Sequence, residues 1–134
     1  VSHALPPYAA LLGIAVEEQA DAAPVLVMPF GDDVLGRPGF LHGGAIAGLL
    51  ELAAIAALRH ALAADGGGRF EPVTHSVDFM RGGRDRPTRA RGQVNRLGTR
   101  IANVEVFAWQ DDPDRPIAAA RTTWLIVRPP PAGS

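Results

Sequence analysis

The chain has 134 residues, 47% of them apolar, with a mean hydropathy of +0.07, which suits one domain (residues 1–134) with room for a buried core. It contains no cysteine, so disulfides, thiol catalysis and zinc–thiolate sites are excluded, and the composition fits the cytoplasm. The net charge of −1 gives no pull toward polyanions or membranes, yet all thirteen basic residues are arginine, and seven of them lie between Arg81 and Arg100.

Val1-Ser2-His3-Ala4-Leu5-Pro6-Pro7 lacks the basic start and apolar core of a targeting segment. Pro7–Gly13 reads as a short opening helix, with proline at its first turn and Gly13 as a stop. Ile14–Glu18 and Ala23–Pro29 read as two strands around a polar turn at Gln19–Asp21, and their prolines point to a sheet edge. Phe30 to Gly39, rich in Gly, Asp and Pro, is expected as a loop. A long helix then runs to about Ala64 and stops at Asp65-Gly66-Gly67-Gly68.

Beyond the helix the apolar period changes to two. Val73, His75, Val77 and Phe79 point one way, and Thr74, Ser76, Asp78 and Met80 the other. A turn at Gly82–Pro87 leads to a strand over Thr88–Val94, a hairpin at Leu97-Gly98-Thr99, and two longer strands, Ile101–Trp109 and Ile117–Val127. Residues 129–134 read as a disordered tail. Short turns between these strands predict a mostly antiparallel sheet in an α+β fold, wrapped around one long central helix.

The stretch Phe40 to Leu58 organises the rest. It opens with His42-Gly43-Gly44 and continues as a helix that is apolar on nearly every side, interrupted by Glu51. Such a helix is buried, and a carboxylate is seldom buried without something that satisfies it. The apolar run 41–58 is too short and too interrupted for a membrane span. Gly43 and Gly44 would place unpaired, partially positive N–H groups at the helix start, where a polarised carbonyl fits. His42 and Glu51 are nine residues apart, so they face opposite sides with a rise of roughly 13 Å. Both can serve one site only if a second subunit supplies one of them.

Several stretches in order resemble the hotdog-fold thioesterases, in particular the phenylacetate-pathway (PaaI-like) branch that hydrolyses acyl-coenzyme A. These are Pro7–Ile14, Gly39-Phe40-Leu41-His42-Gly43-Gly44 followed by Glu51, Val77-Asp78-Phe79-Met80-Arg81, and Arg96-Leu97-Gly98-Thr99-Arg100. The resemblance covers about residues 5–128. It implies a homo-oligomer, dimer or tetramer, with active sites between two chains. It also implies that the Gly43 amide binds the oxyanion, and that Glu51 acts as nucleophile or as general base. His42 would touch the acyl group or cap the loop, with Gly44 beside the substrate. Arg81 and Arg100, then Arg96, match the family signatures and suit the phosphates of coenzyme A; solubility is the expected role of at least half of the cluster.

Gly36 stands where relatives often carry Asn or Gln, and Ile55 where many carry Ser or Thr. Tyr8, Leu12, Leu50, Ala54 and Phe79 are expected to shape an acyl pocket. No cofactor, metal site, serine triad, nucleic-acid partner or membrane association is expected. A non-catalytic acyl-CoA-binding module on the same fold is the alternative. Neither local signature of the hotdog dehydratases is present.

Overall fold

The computed structural model describes residues 5–130; the N-terminal stretch through Ala4, with His3, and the last residues of the tail lie outside them. A four-residue helix, α1 (Tyr8–Leu11), precedes strands β1 (Ala15–Gln19) and β2 (Ala22–Met28). The 21-residue helix α2 (Gly43–Ala63) follows, and then β3 (Arg69–Phe79), β4 (Thr88–Leu97), β5 (Ile101–Trp109) and β6 (Ala118–Val127). All neighbouring strands are antiparallel in one sheet of order β1-β2-β4-β5-β6-β3. The chain leaves the sheet after β2, runs through α2, and re-enters at the far edge as β3. This is the hotdog fold.

Local chemistry explains the element ends. Gly13 stops α1 at φ +69°, and the Ile14 amide closes back on the Ala9 carbonyl at 3.0 Å. Beyond α2 the Gly67 amide donates to the Leu62 carbonyl at 2.7 Å, with Gly66 in the left-handed region that glycine tolerates. The expected loop 30–39 holds a 3₁₀ turn at Asp32–Val34 and a bridge between Leu35 and Leu41.

The core is the apolar length of α2 against one sheet face. Leu49, Leu50, Ala53, Ala54 and Leu58 are fully enclosed, facing Leu26, Met28, Ala90, Val106 and Ala118. Small residues set the approach: a Cβ at Gly92 would lie 2.8 Å from Ala57 Cβ and 2.9 Å from the Ala53 carbonyl oxygen. The buried Thr122 hydroxyl is satisfied twice, donating to the Val104 carbonyl at 2.9 Å and accepting from Trp124 Nε1 at 2.7 Å.

Three expectations need correction. Val73 does not share the inward face of His75 and Val77: the ladder with β6 shifts between Pro72 and Thr74, so Val73 is the extra residue of a bulge and is 60% exposed. β3 also begins at Arg69, earlier than the alternation suggests, because pairing with Val127 extends it. Nor is length what separates α2 from a membrane span. Its 21 residues, with a mean hydropathy of 1.6 in the most apolar window, are long and apolar enough. What separates it is that 67% of that window is already buried in the fold.

Gly92→Ala is expected to lower unfolding stability by about 1–3 kcal/mol, because neither the Ala57 side chain nor the Ala53 backbone can retreat far. Urea denaturation measures it. Gly31→Ala, where nothing lies within 4 Å of the new methyl, is the control, expected to stay within about 0.5 kcal/mol.

Candidate active site

The segment leading into α2 is held at both ends. The Gly36 amide donates to the Phe40 carbonyl, the His42 amide to the Val34 carbonyl, and the Leu41 amide to the Gly83 carbonyl, all between 2.8 and 2.9 Å. The Phe40 ring lies between two guanidinium groups, Arg37 at 4.0 Å and Arg84 at 4.5 Å, an arrangement its electron-rich faces favour. Gly82 packs beneath it: a Cβ there would be 2.9 Å from the ring. The loop before α2 and the loop after β3 are therefore one packed unit.

His42 is the N-cap of α2, at φ −70° and ψ 133°, and its side chain accepts the Gly44 amide at 2.9 Å through Nδ1. That places the imidazole proton on Nε2. Of the two roles expected for His42, the cap is the one the geometry supplies, and it occupies the Gly44 amide. The Gly43 amide makes no hydrogen bond among the described residues. It is thus the open donor at the positive end of a 21-residue helix. The Phe79 ring of β3 lies over it, 3.5 Å from where a Cβ would stand.

Glu51 is half-buried between the enclosed Leu50 and Leu52. Its carboxylate forms no hydrogen bond or ion pair among the described residues. It stands eight residues along α2 from Gly43, a rise of about 12 Å. One protomer therefore cannot bring the carboxylate and the open amide to the same bond. A third group borders this stripe: His75 Nε2 of β3 lies 3.1 Å from the Ala47 carbonyl oxygen, one helical turn before Glu51.

The arginine cluster does not gather at one point. Arg86 grips both oxygens of Asp111 at 2.8 and 2.7 Å, a bond that raises its already high pKa, and Arg89 pairs with Glu17 at 3.2 Å. Arg81, Arg96 and Arg100 have no carboxylate partner among the described residues. Arg81 and Arg84 line a hollow of about 240 Å³ with Gln110 and Arg115, whereas Arg96 and Arg100 flank the β4–β5 turn. The length of β4 separates the two ends of the sheet by roughly 27 Å.

Of the expected pocket residues, Leu12, Leu50 and Ala54 belong to the core, while Tyr8 and Phe79 are exposed over Gly48 and Gly43. A Cβ at Gly36 would press on the His42 backbone at 3.1 Å, so a side chain there would have to push the helix entry aside by a few tenths of an ångström. A cleft of about 650 Å³ lies between the splayed β2 and β4 and excludes both Gly43 and Glu51. No group of three metal-ligating side chains occurs among the described residues.

With this geometry in place, comparison with known proteins fixes the class. A family model described as the thioesterase superfamily matches residues 38–117, more than half of the chain, and the protein belongs to that superfamily. A solved protein from Chromobacterium violaceum is 31% identical, covering 90% of this chain and 83% of that one at a TM-score of 0.72. A thioesterase from Pseudomonas aeruginosa is 26% identical over 90% of this chain and 85% of its own, at a TM-score of 0.77. A thioesterase from Haemophilus influenzae shares the fold at 19% identity and a TM-score of 0.80, covering 95% and 87%. No match is found among curated proteins. Family and neighbours together support a thioester hydrolase.

Removing the cap tests the helix start. His42→Ala is expected to cost about 0.5–2 kcal/mol in equilibrium unfolding, while His42→Asn, which restores an acceptor at the cap, recovers most of that loss.

Proposed function

We propose that the protein is an acyl-CoA thioesterase of the PaaI-like kind, working as a homodimer or a tetramer of such dimers. Glu51 of one chain and the Gly43 amide of the other form each site. The observation that carries this reading is the pairing of an unpartnered, half-buried carboxylate with an open helix N-terminal amide that one chain holds too far apart to use. A second copy docked along β3 removes that separation. β3 is the long outer strand of the sheet, and it leaves Val73, Phe79 and the adjoining Met80 exposed at 60, 56 and 49%; such an edge is normally covered.

In this arrangement the thioester carbonyl points at the Gly43 N–H, which stabilises the developing oxyanion. The Glu51 carboxylate either attacks the carbonyl carbon or removes a proton from the attacking water. Collapse of the tetrahedral intermediate breaks the C–S bond and releases coenzyme A as thiolate; on the direct-attack route water then cleaves the mixed anhydride left on Glu51, freeing the acid and restoring the carboxylate. With β3 strands antiparallel across the pair, Arg81 of one chain approaches the β4–β5 turn of the other. That brings Arg81, Arg96 and Arg100 to one phosphate-bearing substrate, with no cofactor required.

The competing reading, an acyl-CoA binder without turnover, draws on the side-chain-free position at Gly36, which leaves few polar groups to hold water. A panel of aryl- and alkyl-CoA thioesters with a thiol reagent separates the two. Saturable thiol release that falls by about a hundredfold or more in Glu51→Gln supports hydrolysis. Tight binding with no release supports the binder.

The cross-chain site has its own test. Gly43→Pro removes the amide while keeping the helix, since proline is tolerated at the first helical position and His42 already has the extended conformation proline requires. Glu51→Gln and Gly43→Pro homodimers should each be inactive. Co-expressed, the mixed dimers keep one intact site, returning about a quarter of wild-type activity for random pairing. No recovery would rule out a shared site.

A further inference from the structure

We propose that His75 is a positioning residue for Glu51, an inference that rests on the thioesterase reading above: its imidazole clips β3 to the turn of α2 that carries the reacting carboxylate. A carbonyl oxygen only accepts, so the 3.1 Å contact with Ala47 puts the proton on His75 Nε2. The same carbonyl receives the Glu51 amide through the i to i+4 helix pattern. Strand and carboxylate-bearing residue therefore share one acceptor. Along α2, Gly43, Ala47 and Glu51 fall one turn apart, each step turning by only about 40°. Along β3, Phe79 lies over Gly43 and His75 is bonded at Ala47. One strand thus runs beside the helical stripe that carries both reacting groups.

Stability alone gives no reason for a histidine here. His75 Nδ1 is buried with no hydrogen-bond partner, and its nearest inward neighbour on β3, Val77, is apolar. An aliphatic side chain would fill the position without leaving a buried acceptor unpaired. What the imidazole adds is the bond to the helix. Because β3 is also the edge that meets the second copy, the clip carries the position of that interface to Glu51. Displacement of about 1 Å between reacting groups is enough to cost orders of magnitude in rate.

The test compares wild type, His75→Leu and His75→Gln on one hydrolysed acyl-CoA, with thermal unfolding and amide hydrogen exchange at Glu51 measured alongside. The expected result is a kcat about tenfold or more lower in His75→Leu, with KM within about twofold and unfolding temperature little changed. His75→Gln, whose amide can still donate to Ala47, regains most of kcat. Exchange at Glu51 quickens in the leucine variant, as the unclipped turn opens more often, and slows again in the glutamine variant. A kcat in His75→Leu within about twofold of wild type, or no advantage of Gln over Leu, overturns the proposal. Should the leucine variant fail to fold, His75→Asn, too short to reach Ala47, takes its place. If wild type hydrolyses no thioester, the thioesterase reading falls separately. Exchange at Glu51 then decides: unchanged exchange in His75→Leu overturns the clip, and faster exchange upholds it.

Discussion

A helix with no polar side must be enclosed, and every other element answers to that constraint. α2 buries twelve of its residues, and with no second long helix among the described residues it is the sheet that must wrap it. The demand for close approach selects alanine along α2 and glycine at position 92 of the sheet. It sends the chain across the molecule between β2 and β3, which makes β3 an outer strand. The single carboxylate of α2, Glu51, is half-buried and lies one turn beyond the Ala47 carbonyl that His75 of that outer strand meets. Core and sheet order follow from one sequence property.

The helix start is built with similar economy. His42 supplies an acceptor at the cap and so takes the Gly44 amide out of play, leaving the Gly43 amide as the open donor. The loop that delivers His42 is braced through Phe40 against the strand-end loop around Gly82 and Arg84. For the oxyanion role proposed above such bracing matters, since donors of that kind act through fixed geometry rather than strength.

Where periodicity is strict, the fold is legible: Ile101–Trp109 alternates cleanly and is bounded by turn residues, and β5 has the same limits. Where pairing with a distant strand decides, it is not. Arg69–Pro72 follows three glycines and includes a proline, yet β6 holds it in the sheet and places a bulge at Val73. The site shows the same divide. Glu51 and Gly43 stand out because a charge and a glycine pair interrupt an apolar helix. For His42 the sequence leaves two roles open, acyl contact or cap, because histidine is not among the usual N-cap residues, and the extended backbone at position 42 with the Gly44 bond decides for the cap. His75 is legible only as an inward strand position, since nothing local announces that a helix carbonyl lies opposite. The arginines are neighbours in sequence but ride opposite ends of extended strands, so clustering along the chain overstates clustering in space.

The bulge at Val73 has a consequence for how far one molecule can join another. Pro72 has no amide to donate, and the kink beside it breaks the regular ladder, so an incoming strand finds only the run from Thr74 to Phe79 to zip along. The opposite border of the sheet, β1, has only five residues, carries Glu17 and Glu18, and has its own irregularity before Gln19. Short, charged and kinked borders refuse endless addition. Neither border of this sheet therefore offers a long regular ladder on which fibres could grow.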